Sequence, residues 1–124
     1  VELNKDAIKD AINNAKANKI NNIKFVNDDA TNFMINLAKE KFPIDAVIMD
    51  PPRSGSTKEF IDAIKVLKPK QVVYISCDPS TQVRDLKYFE KIGYYGNTMI
   101  PVDMFPHTEH VECVSVLHRK SLEK

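Results

Sequence analysis

Tryptophan is absent from these 124 residues, glycine occurs three times and cysteine twice. Two cysteines, Cys77 and Cys113, cannot build the disulfide framework that stabilises small secreted domains. No Cys-x-x-Cys pair and no Cys/His cluster has zinc spacing, and His107 and His110 lack companions, so no metal site is expected. No apolar run approaches the roughly 20 residues that cross a bilayer, and no secretory leader is visible. Neither sign of charge dominates: 18 Lys and Arg face 17 Asp and Glu, for a formal net charge of +1. That balance excludes a generic polyanion binder and leaves room for a local basic patch. A reducing, cytoplasmic setting follows as the expectation. The first residue is Val1 rather than Met, which points to a processed chain or a piece of something longer.

What is present is ordinary globular material, 43% apolar and 28% charged. The length suits one domain with a real core. Asn4 can cap a helix whose apolar positions are Ala7, Ile8, Ala11, Ile12 and Ala15. Ile23 to Val26 reads as a short strand, and Asp28-Asp29 follows it. A helix from about Thr31 to Glu40 carries Phe33, Met34, Leu37 and Ala38. The run Ala46-Val47-Ile48-Met49 suits a strand buried on both faces of a parallel sheet. Ser56 to Glu59 reads as a capping box, opening a helix that buries Phe60, Ile61, Ile64 and Leu67. Gln71 to Ser76 is the next strand. Asp78 then reads as an N-cap with Pro79 at the first helical position. That helix shows Val83, Leu86, Phe89 and Ile92, and Gly93 stops it. Tyr94 to Pro101 and His110 to Arg119 read as two final strands. The order is α-β-α-β-α-β-α-β-β, which predicts an α/β fold with a mostly parallel sheet, helices on both faces and an antiparallel C-terminal edge.

In such a sheet, ligands bind beyond the carboxyl ends of the strands. The rule selects Asp29, Asp50 and Cys77, each just after a strand. The segment Asp103 to Glu112 enters the last strand from the same edge and adds Glu112, His107 and His110. Each residue also has a plainer role. Asp29 reads equally well as a cap. Asp50 opens Asp-Pro-Pro-Arg, whose two prolines stiffen the loop for structure or for function. A cysteine is usually a small hydrophobe, but a helix start such as Cys77 favours a thiolate, and Asp78 beside it opposes one. Cys113 fits a core position. Glu112 is either an outward edge residue or a site acid.

Four segments together carry a resemblance. They are Asp50-Pro51-Pro52-Arg53-Ser54-Gly55, Ile75-Ser76-Cys77-Asp78-Pro79-Ser80-Thr81, Arg84-Asp85, and Asp103-Met104-Phe105-Pro106-His107-Thr108-Glu109-His110-Val111-Glu112. In this order they resemble the RNA uracil-C5 (5-methyluridine) methyltransferases over essentially the whole chain. The resemblance implies a Rossmann-like S-adenosylmethionine-dependent methyltransferase fold. It also implies that residues 1–124 are the C-terminal part of the catalytic domain, with N-terminal strands and a Gly-rich loop lying upstream. It implies Cys77 as nucleophile and Glu112 as base. It implies Glu2, Asp29 and Asp50 around S-adenosyl-L-methionine, and Arg53 and Arg84 as contacts to RNA. The expected substrate is ribosomal RNA, with transfer RNA second. Asp78 departs from the family, which often has Asn there.

Three rivals remain at this point. An amino-methyltransferase would prefer an aromatic residue where Arg53 stands and needs no cysteine. A cysteine hydrolase using Cys77 with His107 or His110 leaves Asp50 unexplained. A folded but inactive module is the third.

Overall fold

A computed structural model describes residues 1–96 and 98–120. Among the described residues four helices and five strands follow in order: α1 (Lys5–Ala17), α2 (Ala30–Glu40), β1 (Ala46–Met49), α3 (Lys58–Leu67), β2 (Gln71–Ser76), α4 (Pro79–Lys91), β3 (Tyr94–Tyr95), β4 (Met99–Val102) and β5 (Glu112–Arg119). No helix among the described residues is long and apolar enough to cross a membrane.

The sheet order is β1-β2-β5-β3, with β4 also paired to β5. β1 and β2 run parallel, while β5 is antiparallel to β2, β3 and β4. Four strands therefore point one way and β5 alone runs against them. The antiparallel pairing occurs as expected, but β5 lies inside the sheet and β3 and β4 lie beyond it. The predicted strand from Tyr94 to Pro101 is two strands. Gly96 sits between them where a Cβ would lie 2.6 Å from the Val116 carbonyl oxygen, so the chain presses its backbone directly onto β5 there.

One sheet face makes the core. Val47, Met49, Val72, Tyr74 and Leu117 alternate onto it and meet Met34 of α2, Ile61 and Ile64 of α3, and Phe89 of α4. Tyr74, Phe89 and Tyr94 stack edge to face along it. The opposite face is open: β1 buries Val47 and Met49 but leaves Ala46 and Ile48 out, with Ile48 74% exposed. The expectation of a strand buried on both faces fails here, because α2, α3 and α4 all pack on one side and α1 has no buried residue.

Local signals held where a side chain could satisfy the backbone by itself. Asn4 caps α1, Asp29 caps α2 and Asp78 caps α4. Gly93 takes φ +94° at the end of α4. The capping box does not form. Thr57 caps α3, because the Ser56 N–H is taken by Asp85 Oδ2 at 2.7 Å. Ile23 to Val26 is not a strand. The one parallel bridge nearby joins Glu2 to Asn27, just past the segment, since a ladder needs a partner and Val1 to Leu3 supplies a single step.

On α4 the buried residues are Gln82, Asp85 and Phe89, and Val83 is 42% exposed. Gln82 is accommodated because its amide nitrogen donates to the Cys113 carbonyl at 3.1 Å and to the Tyr74 carbonyl at 3.4 Å. Its Oε1 has no partner.

Candidate active site

The β2–β5 register ends beside two of the selected residues. Ser76 is opposite Cys113. The ladder ends there: Cys77 follows β2 in a bend, and Glu112, the first residue of β5, is opposite Val102 of β4. Cys77 and Glu112 are both half-buried. The turn that carries Cys77 is closed by the Ser76 hydroxyl, which donates to the Asp78 carbonyl at 2.8 Å and accepts the Asp78 N–H at 3.0 Å. Asp78 Oδ1 accepts the Ser80 hydroxyl at 2.6 Å and the Ser80 N–H at 2.9 Å. These bonds, the Thr81 N–H and the nearby charge of Arg53 hold its carboxyl below the usual range against a small opposing cost of burial. Cys113 is buried, and burial pushes its thiol up, which agrees with a core position.

A cavity of about 620 Å³ opens at the carboxyl end of β1. Glu2, Asp29 and Asp50 all line it, with Asp28, Phe33 and Ile48. Three residues chosen from distant parts of the sequence thus share one wall. The placement is specific. The Glu2–Asn27 bridge holds Glu2, and Asn27 Nδ2 donates to the carbonyls of Glu2 and Leu3, both at 2.9 Å. Glu2 Oε1 accepts the Asn4 N–H at 2.9 Å. Asp29 Oδ1 accepts the Asn32 N–H at 3.0 Å, so Asp29 is both a cap and a cavity residue. Carboxylates beside apolar and aromatic walls suit a ligand that combines hydroxyl groups or positive charge with a flat ring.

Arg53 is exposed, and its carbonyl accepts the Thr81 hydroxyl at 2.8 Å. Arg84 turns inward to its own chain: Nη2 lies 2.8 Å from the Ser54 carbonyl and 3.0 Å from Asp85 Oδ1. Neither arginine lines the cavity. His107 is exposed with φ +65°, and His110 is half-buried. No group of three or more His, Cys, Asp or Glu that could hold a metal ion occurs among the described residues.

The sequence by itself assigns no role to Asn27, Asp28, Tyr74, Gln82 or Asp85. One signal was available: Gln82 and Asp85 share helical spacing with Phe89, and two polar residues on an apolar stripe mark a buried network.

A model of the tRNA (uracil-5-)-methyltransferase family matches residues 1–120. The chain belongs to this family. Among its relatives, an uncharacterized RNA methyltransferase of Lactobacillus johnsonii is 49% identical over 119 residues, covering 96% of this chain and 26% of the relative. One from Caldanaerobacter subterraneus is 46% identical with the same coverage. Among solved structures, the Pyrococcus abyssi tRNA (uracil-54, C5)-methyltransferase in complex with S-adenosyl-L-homocysteine superposes with TM-score 0.80 at 33% identity. That match covers 93% of this chain and 26% of the other. An rRNA methylase from Streptococcus thermophilus, TM-score 0.69 at 14% identity, shares the fold. The chain spans about a quarter of the length of the curated relatives it matches.

Proposed function

We propose that this chain is the C-terminal part of the catalytic domain of a longer cytoplasmic enzyme that methylates carbon 5 of a uridine in RNA. The observation that carries the reading is that the β2–β5 ladder ends at Ser76 opposite Cys113, the residues next to Cys77 and Glu112, while Glu2, Asp29 and Asp50 line one cavity at the end of β1. Family membership supports it.

The cavity fits S-adenosyl-L-methionine by its volume, its carboxylates and its Phe33 wall. Glu2 suits the ribose hydroxyls, Asp29 the adenosine end and Asp50 the positively charged end. That cofactor supplies an electrophilic methyl group. Carbon 5 of uracil is a weak nucleophile. The Cys77 thiolate adds to carbon 6, and the displaced π electrons move to the carbon 4 oxygen as an enolate. Carbon 5 then accepts the methyl group. Glu112 removes the proton left on carbon 5, the double bond reforms, and the sulfur–carbon 6 bond breaks to return the thiolate. Arg53, exposed at the end of the rigid Pro-Pro turn, is placed to meet a phosphate. The target base must leave its stack to reach Cys77.

Ribosomal RNA is the first substrate proposed. The likeness to the Pyrococcus abyssi enzyme, which acts on uridine 54 of tRNA, favours transfer RNA as the second reading. The test uses the full-length enzyme with S-adenosylmethionine and 5-fluorouridine-containing ribosomal or transfer RNA. Fluorine cannot leave carbon 5 as a proton does, so an adduct should persist and map to Cys77 by mass spectrometry. The RNA that is trapped identifies the substrate. Methylation of ordinary RNA without any adduct, or full turnover by Cys77→Ala, defeats the mechanism.

A further inference from the structure

The loop from Asp50 to Ser56 is held by three side chains of α4. The Thr81 hydroxyl donates to the Arg53 carbonyl at 2.8 Å, Arg84 Nη2 donates to the Ser54 carbonyl at 2.8 Å, and Asp85 Oδ2 accepts the Ser56 N–H at 2.7 Å. Positions 81, 84 and 85 are spaced by three and four, so they share one helical face. Gly55 makes the contact possible. It takes φ +81°, and a Cβ there would lie 2.4 Å from Arg84 Nη2 and 2.6 Å from Asp85 Oδ2.

Asp85 is the hub. It is 3% exposed, yet it carries a carboxylate. Its Oδ1 faces Arg84 Nε and Nη2 at 3.2 and 3.0 Å. Its Oδ2 takes both the Ser56 N–H and the Tyr74 hydroxyl, the latter at 2.6 Å. A charge so buried is retained only when each lone pair has a donor, and here each oxygen has at least two. Burial pushes the Tyr74 phenol far up, and Asp85 beside it adds to the effect, so the hydroxyl stays a donor.

The connections made through this one carboxylate have a chemical consequence. Tyr74 belongs to β2, which three residues later presents Cys77. Ser56 ends the loop that begins at Asp50. α4 starts directly after Cys77. We infer that Asp85 is a positioning residue that sets the Asp50 loop against Cys77, and so fixes the methyl donor relative to the trapped base. This rests on the function proposed above. Arg84 thereby acts on the loop rather than on RNA.

Two half-reactions separate this role from general support of the fold. Addition of Cys77 to carbon 6 lets carbon 5 gain a solvent proton, and removal of the original hydrogen by Glu112 then exchanges it. That exchange needs Cys77 and Glu112 at the base, without the Asp50 loop. In the full-length enzyme, Asp85→Asn keeps the shape and removes the charge, and Tyr74→Phe cuts only the link to β2. Methyl transfer at saturating RNA should fall about 10- to 100-fold in Asp85→Asn and by a smaller factor in Tyr74→Phe. Release of tritium from carbon 5 without S-adenosylmethionine should stay near the wild-type rate, and so should the KM for RNA. If Asp85→Asn does not fold, Tyr74→Phe decides by the same two rates. Unchanged methyl transfer, or exchange and transfer falling together, overturns the inference. If wild-type enzyme gives neither activity, the proposed function fails instead.

Discussion

Single side chains here often serve two purposes, and substitution can divide them. Asp29 both caps α2 and lines the cavity. Asn caps helices about as well as Asp, whereas Ala costs about 0.5–2 kcal/mol. Asp29→Asn should therefore keep thermal stability and weaken S-adenosylhomocysteine binding. Asp29→Ala should lower both. Calorimetric titration beside a thermal melt separates the two effects, and equal binding by Asp29→Asn and wild type would leave Asp29 as a cap alone. Glu112→Gln retains shape and removes the proposed base. Turnover should drop about 10²- to 10⁴-fold, and uridine-containing RNA should remain bound covalently on a denaturing gel. Free release of methylated RNA by this variant would assign the proton to another group.

Elements are joined in this fold by close backbone approach as much as by side-chain packing. Gly96 and Gly93 show the difference. A Cβ at Gly96 meets the Val116 carbonyl at 2.6 Å, and that atom is backbone that cannot rotate away. Gly93 has open space around its Cβ direction but takes φ +94°. Gly96→Ala should cost about 1–3 kcal/mol through overpacking against β5. Gly93→Ala should cost about 1–2 kcal/mol through the left-handed backbone alone. Denaturant unfolding of both variants checks the ranking, and a Gly96→Ala protein as stable as wild type would mean that the β3–β5 edge gives way freely.

Buried phenols contribute to the response of the whole molecule to alkaline pH. Tyr74 and Tyr94 are fully enclosed, and burial raises both hydroxyls above the ordinary value near 10. Raised groups stabilise the folded state fully below the unfolded value, and that stability is lost as pH climbs above it. Unfolded chains release these two protons above about pH 10 while the folded chain retains them. Stability should then fall as pH rises, with Tyr74 contributing up to about 1.4 kcal/mol per pH unit. Tyr74→Phe should make the alkaline limb of the stability curve shallower by one such step. An unchanged slope in chemical unfolding between pH 9.5 and 11 would mean that Tyr74 ionises as readily folded as unfolded.

The sequence by itself determined the local events. Asn4, Asp29 and Asp78 cap their helices, and Gln71–Ser76 pairs as a strand over the range expected. Each outcome depends on a residue and its near neighbours. The motif segments also led to Glu2, Asp29 and Asp50, which the fold gathers around one cavity. Tertiary structure decided what depends on partners distant in sequence. Ile23 to Val26 has the residues of a strand but only one bridge beside it. Ser56 loses its capping role because Asp85, 29 residues away, takes its N–H. β5 enters the sheet between β2 and β3, and that insertion alone sets Ser76, the residue before Cys77, opposite Cys113, the residue after Glu112. Periodicity records which face of an element is apolar. It does not record which strand lies alongside or which buried carboxylate receives a given N–H, because those pairings are set by the packing of the whole chain.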